Sequence, residues 1–304
     1  MDAEILTLIT AAPAAHPLAA VAGALGETLR GLGGCGIAED WLAPGRACDL
    51  RCEGVAAEPA AAAARRLLAE RFAGLPVDLV VQPQAGRRKA LLLADMESTI
   101  IENEMLDELA EFVGLREEVA AITRRAMNGE RDFGPALAAR VGLLRDLPEA
   151  RLEVAASRIR IAPGAAALVA TMRAHGAYAA LVSGGFRSFT ALVRQALGFD
   201  CDIANELLIA GGRLTGRVAQ PIVTRESKLA ALRRLAAQRN LPLSATLAVG
   251  DGANDLPMIE AAGLGIAYRA KPAVAAAARQ RIDHADLTAL LYAQGYREGE
   301  IVGA

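Results

Sequence analysis

Short apolar runs and longer amphipathic stretches alternate along the chain, and their periods sort it into regions. Glu4–Thr10 has the pattern of a strand, Pro17–Gly31 that of a helix, and Gly33-Gly34 breaks it. Gly36–Trp41 and Arg46–Cys52 predict two strands around the turn cluster Ala43-Pro44-Gly45. Pro59–Phe72 is an alanine-rich helix entered through a proline, and Val77–Val81 a last short strand. The order βαββαβ is the ferredoxin-like arrangement, with Trp41 as a core residue. Gln82–Arg88 is polar and broken by Pro and Gly, which places a domain boundary there, between residues 1–85 and 86–304.

Ala90–Ala94 is an unbroken apolar run, the pattern of a strand buried on both faces of a parallel sheet. It ends in two carboxylates, Asp95 and Glu97, followed by Ser98 and Thr99. Residues two apart in extended backbone point the same way, so both acids can face one volume at the carboxyl edge of the sheet. Open α/β sheets bind ligands at that edge. Two like charges so close need a cation, a shared proton or separate roles. A strand cap with solvated acids is the plain alternative.

Helical periodicity then runs without a strand until about Tyr178. In Glu102–Val113, Leu106, Leu109, Ala110 and Val113 form an apolar stripe, and Glu104, Asp107, Glu108 and Glu111 an opposite acidic face. A solvated face is the ordinary account of Glu104. Leu115–Gly129 and Phe133–Asp146 continue the helices. On the latter the apolar stripe is Phe133, Leu137, Val141 and Leu144, and Arg140 projects from its middle. A guanidinium there is costly unless an anion meets it. Either it snorkels to solvent or a nearby Glu, or it forks onto a ligand carboxylate.

Strand–helix alternation returns after Ile161-Ala162-Pro163-Gly164, which opens a helix to His175. Ala177–Val182 reads as a buried strand ending in Ser183-Gly184-Gly185, a turn whose backbone N–H groups can approach a phosphate. Asp202–Ile209 and Arg213–Val218 around Gly211-Gly212 predict a β-hairpin flap. Thr224 is the expected N-cap of Arg225–Arg239, which puts Lys228 near the first turn, against the helix dipole. Such local conflicts are accepted mostly where something anionic sits nearby. Ala245–Val249 is the next buried strand, and the Gly250–Asp255 loop after it crowds Asp251, Asn254 and Asp255 together. Oxygen-rich clusters of that kind suit Mg²⁺. Ile266–Tyr268 and Ile282 extend the alternation, with helices at Pro272–Arg279 and Leu287–Gln294. The class is α/β, a doubly wound parallel sheet with a helical insertion, preceded by a small α+β domain.

Composition narrows the partners. With 304 residues, 53% of them hydrophobic, and a net charge of −2, the chain can build sizeable cores and carries no basic surface for nucleic acid or anionic membrane. Its acidic start and the lack of a membrane-length apolar stretch fit a cytoplasmic protein, and its four cysteines, without CxxC spacing, fit reduced thiols.

Four elements stand in order at strand ends: DMEST, SGG, Lys228 and GDGANDLPMI. Together they resemble the haloacid-dehalogenase-like phosphatases, which attack phosphate with an aspartate. The stretches ENEMLDELAEFVG, AMNGERDF and ARVGLLRDLP are similar to the phosphoserine phosphatase branch, over roughly Lys89 to Tyr292. The resemblance implies a hydrolase core with an inserted helical cap at about 102–160, preceded by an ACT-type regulatory domain. It implies O-phospho-L-serine as substrate and Mg²⁺ as cofactor, and it admits a homodimer. By the same resemblance Asp95 is the nucleophile and Glu97 the general acid/base. Ser183, Gly184 and Lys228 hold the phosphoryl oxygens. Asp95, Asp251 and the Glu97 backbone carbonyl hold the metal, supported by Asn254 and Asp255. Glu104 meets the substrate ammonium and Arg140 its carboxylate, while Met127 and Phe133 exclude water. At position 97 the family carries aspartate; this chain carries glutamate.

Overall fold

The computed structural model describes residues 3–11, 15–128, 130 and 132–303, except the side chains of Ala15, His16 and Met127. The leading region is β1 (Glu4–Thr10), α1 (Ala15–Gly31), β2 (Cys35–Ala43), β3 (Ala47–Glu53), α2 (Ala57–Arg71) and β4 (Val77–Pro83). Its antiparallel sheet has the order β2-β3-β1-β4. Leu6, Leu8 and Leu50 pack one face onto α1 and α2. Ile9, Ala47 and Val80 on the other face belong to the same buried cluster as the core of the following region. A sheet buried on both faces is why β1 reads as nearly continuous apolar sequence.

Polar contacts fix that junction. The Asp78 carboxylate accepts from the backbone N–H groups of Asp283, His284 and Ala285. The Gln280 amide accepts from Val81 N and donates to Val81 O, completing the edge of β4 as a strand would. Arg87 pairs with Asp49 at 2.7 Å, and both side chains are nearly buried.

The second region begins with β5 (Leu91–Ala94). Four helices follow, α3 (Met105–Glu111), α4 (Arg116–Met127), α5 (Phe133–Gly142) and α6 (Ala150–Ala156). Next come α7 (Ala165–Ala174), β6 (Tyr178–Phe186), α8 (Arg187–Leu197), β7 (Cys201–Asn205), β8 (Leu207–Ala210) and β9 (Arg213–Val218). The chain finishes with α9 (Arg225–Gln238), β10 (Thr246–Gly250), α10 (Leu256–Ala261), β11 (Leu264–Tyr268), α11 (Pro272–Ala277), β12 (Gln280–Ile282) and α12 (Ala289–Ala293). Six strands form one parallel sheet, ordered β12-β11-β10-β5-β6-β7. Leu92, Leu181 and Val249 face α7, α8 and α12, whereas Leu93, Val182 and Ala248 face α9 and α10. From β5 the chain winds outward through β6 and β7, then returns past β5 to β10 and winds the other way. The crevice therefore opens between the carboxyl ends of β5 and β10, where strand order reverses.

Helices α3–α6 form a cap tethered by two crossing chain segments that pair at Ile101 and Ile161. Three expectations need correction. Helix α3 starts at Met105 rather than Glu102, because Glu102 N donates to Arg160 O and keeps that segment extended. Ser183–Phe186 stays within β6, with a register shift against β7, instead of turning free of the sheet. The Asp202–Ile209 segment divides. Its first part, β7, joins the parallel sheet, and only β8 and β9 make a hairpin, which leans on the cap through Asp146 N donating to Leu214 O.

Candidate active site

Asp95 follows β5 directly, its N–H donating to Val249 O, so its position is set by pairing with β10. Lys228 enters from the first turns of α9, which Thr224 caps by accepting from Ser227 N. Its Nζ, fully buried, donates to Asp95 Oδ1 at 2.7 Å and to Asp255 Oδ1 at 2.6 Å. The anionic neighbour that its awkward place on the helix calls for is thus a pair of carboxylates. Burial pulls the Lys228 ammonium down, but Asp255 and Asp95 outweigh it and leave it raised. Asp255 is fully engaged, since Oδ2 accepts from Gly252 N.

Asp95, Asp251 and Asp255 are all buried, and one oxygen from each lies within 4.8 Å of the others. Burial, then Asp255, raise the Asp95 carboxyl well above the usual range, against the pull of Lys228. Burial and Glu104 lift Asp251 to about 7. Asp251 Oδ2 and Asn254 Oδ1 are buried and accept no hydrogen bond. Crowded carboxylates with unused lone pairs are what a hard divalent cation satisfies, so these residues fit one. Glu97 is not in that cluster.

The Glu97 side chain instead turns towards the cap, and Oε1 accepts from Met105 N, at the first turn of α3, at 2.8 Å. Its other oxygen lies 2.6 Å from where a Cβ on residue 185 would stand, so a side chain there would displace the carboxyl. Burial raises its pKa to about 7, against the Met105 N–H and Arg140. Ser98, at a left-handed φ of 55°, donates from Oγ to Glu104 Oε1 at 2.6 Å. Burial and the neighbouring Glu97 raise Glu104 to about 7 as well.

The acidic face expected on the first cap helix is not solvated. Glu104 is half-buried at the N-cap of α3 and lines the same cavity as Asp95. Glu108 is buried and paired with Asn103, Arg116 and Arg158, which leaves Glu111 as the exposed member. Val113 falls beyond the helix and is exposed.

Arg140 does not snorkel. It is 3% exposed and lines the cavity, with Nε donating to Ala136 O and Nη1 to Thr123 Oγ1 at 2.9 Å. Burial lowers its pKa, opposed by Glu97, Glu104 and Asp107. Phe133, at the start of α5, lays its ring where a side chain on Gly184 would be. Ser183 is buried, its Oγ accepting from Gly185 N, and Gly184 O accepts from Asn205 Nδ2. The side chain of Met127 lies outside the described residues. The cavity that Asp95, Glu97, Glu104, Arg140, Gly184 and Asn254 share with apolar neighbours holds about 20 Å³, room for a water molecule.

Three contributors escaped the sequence. Thr123 braces Arg140 from α4, and Asn205 ties Gly184 to Val223 N across the end of β7. Lys271 sits 3.1 Å from Asp251 Oδ2. Its one signal is its place after a strand, at the carboxyl edge of the sheet, which matters only once strand order is known.

The family model for haloacid dehalogenase-like hydrolases matches residues 92–260. Phosphoserine phosphatase of Streptococcus thermophilus is 45% identical over 199 residues, 66% of this chain and 93% of the relative. The chain belongs to the haloacid dehalogenase-like hydrolases. Phosphoserine phosphatase of Streptomyces coelicolor is 41% identical over 263 residues, 86% of this chain, of which the match spans 63% of the relative's own length. A solved phosphoserine phosphatase described as an analogue of the phospho-aspartyl intermediate superposes with a TM-score of 0.65 and 39% identity, over 67% of this chain and 98% of that one. Within the haloacid dehalogenase-like hydrolase match lie Leu92–Ala94 of β5, the whole cap and the Gly250–Asp255 loop, so Asp95, Glu97, Glu104, Asp251 and Asp255 all fall inside it.

Proposed function

We propose that the chain is a phosphoserine phosphatase that hydrolyses O-phospho-L-serine through an aspartyl-phosphate on Asp95, with Mg²⁺ as cofactor. The observation that carries this is that a buried cation and a carboxylate from the cap, Arg140 and Glu104, line one cavity with Asp95, which Lys228 bonds together with Asp255. A phosphorylated amino acid presents the complements: carboxylate for Arg140, ammonium for Glu104, phosphate for Lys228 and the Ser183-Gly184 backbone. The names of the relatives agree.

In this reading an Asp95 oxygen attacks phosphorus, and the bond to the serine oxygen breaks as Glu97 passes it a proton. A water molecule then attacks the phosphoryl group while Glu97 takes its proton, releasing phosphate and restoring Asp95. A Glu97 poised near pH 7 suits both directions of transfer. Lys228 and the Gly184 backbone offset the charge that develops on the phosphoryl oxygens. A divalent ion held by Asp95, Asp251 and the Glu97 carbonyl, with Asn254 beside it, would neutralise the same oxygens. Phe133, with Met127, screens the reacting centre from solvent. Residues 1–85 form an ACT-type regulatory domain, a reading supported by the βαββαβ order, and residues 86–304 the catalytic domain.

The test is phosphate release from L-phosphoserine, with Mg²⁺ and with EDTA, beside phosphothreonine and phosphoethanolamine. Fast, metal-dependent release that prefers phosphoserine is expected. Cleavage of another ester in its place would move the substrate assignment and leave the nucleophile standing.

A further inference from the structure

Among the described residues three cations reach the site, and two are committed. Lys228 is fully buried between Asp95 and Asp255, and Arg140 is held by Ala136 and Thr123. The third, Lys271, differs. Its side chain is 31% exposed, and its Nζ lies 3.1 Å from Oδ2 of Asp251, itself 4% exposed. The pair opens to solvent on the lysine side, which makes it easier to part than the buried Lys228 pairs.

The backbone holds the lysine there independently of its charge. Lys271 N donates to Asp251 O at 3.0 Å, and Lys271 O accepts from Val274 and Ala275 N at the start of α11. Besides Asp251, the carboxylates of Glu104 and Asp107 from the cap act on the ammonium and hold it charged.

We propose that Lys271 sets the affinity of the site for a divalent cation by competing for Asp251 Oδ2. This rests on the reading of Asp95 and Asp251 as cation ligands. Removing a positive charge at ion-pair distance from a ligand oxygen strengthens cation binding, because a competitor and a repulsion are lost together.

The experiment is a calorimetric titration of the full chain with Mg²⁺ at pH 7.5 and 0.15 M salt, for the wild type, Lys271→Met and Lys271→Arg. Methionine keeps the unbranched stem and the backbone contacts without the charge, and circular dichroism confirms the fold. Lys271→Met should bind Mg²⁺ about tenfold more tightly, a loss of repulsion between charges a few ångströms apart at an interior dielectric. Lys271→Arg, which keeps the charge, should remain within about twofold of the wild type. Unchanged or weaker binding by a folded Lys271→Met protein would overturn the proposal alone, the weaker case meaning that the lysine orients Asp251 instead. Absence of Mg²⁺ uptake by the wild type would remove the ligand assignment itself, and this proposal with it.

Discussion

Glu97 is one methylene longer than the aspartate of the phosphatases it resembles, and the protein makes room for the extra length on two sides. Met105 N–H at the start of α3 receives one oxygen, and the missing Cβ of Gly185 admits the other. Gly185→Ala should therefore push the carboxyl aside and lower kcat by about 10²-fold, the usual cost of a misplacement near 1 Å. Pairing it with Glu97→Asp should restore part of that loss. Steady-state kinetics of the two single variants and the double variant decide it, and no recovery would mean that Gly185 acts otherwise. Asp95→Asn should abolish turnover, with no phosphate released in a single-turnover assay, because an amide cannot form the acyl phosphate. Glu97→Gln should come close to it.

At the scale of the element, the proposed function gives α5 the specificity. Its apolar stripe seats it on the cap core, and that packing carries Arg140 into the cavity. Arg140→Ala should reduce kcat/KM for phosphoserine by about 10²-fold, the range of a lost charged hydrogen-bonding pair. Phosphoethanolamine, which has no carboxylate, should lose far less. Equal losses on both substrates would take the carboxylate away from Arg140. Thr123→Val should show a weaker form of the same split, since it frees Nη1 without removing the charge.

Across the whole molecule, two features set stability. The leading region is joined to the rest of the chain by Asp78, whose carboxylate serves three backbone N–H groups. Asp78→Ala leaves them unsatisfied in a mostly buried seam, and should cost roughly 2–4 kcal/mol in urea denaturation. The second feature is the acid cluster. Glu97, Glu104 and Asp251 all have folded pKa values of about 7, above their ordinary carboxylate values. Between pH 4.5 and 7 the unfolded chain has released protons that the folded one keeps, so these groups make stability fall as pH rises through that window, levelling off above it. In EDTA, Tm should decline relative to a Glu104→Gln variant as pH goes from about 5 to 7. A parallel pair of Tm curves would mean that Glu104 titrates normally.

The sequence by itself determined the elements and the chemistry at their ends. Strands buried on both faces are largely apolar, so Ala90–Ala94 and Ala245–Val249 stood out, and with them the acids that follow each run. Arg140 was legible as an anomaly for a related reason: a charge on an apolar stripe has few physical explanations. Tertiary structure decided which anomalies share a site. The burial of Glu104 depends on where α3 begins, and that depends on Glu102 pairing with Arg160 across 58 residues. Thr123, Asn205 and Lys271 have no local signature, because a hydroxyl, an amide and a half-exposed ammonium are ordinary in any helix or loop. They become part of the site only through strand order and cap docking, contacts between residues distant in sequence, which periodicity within one segment does not encode.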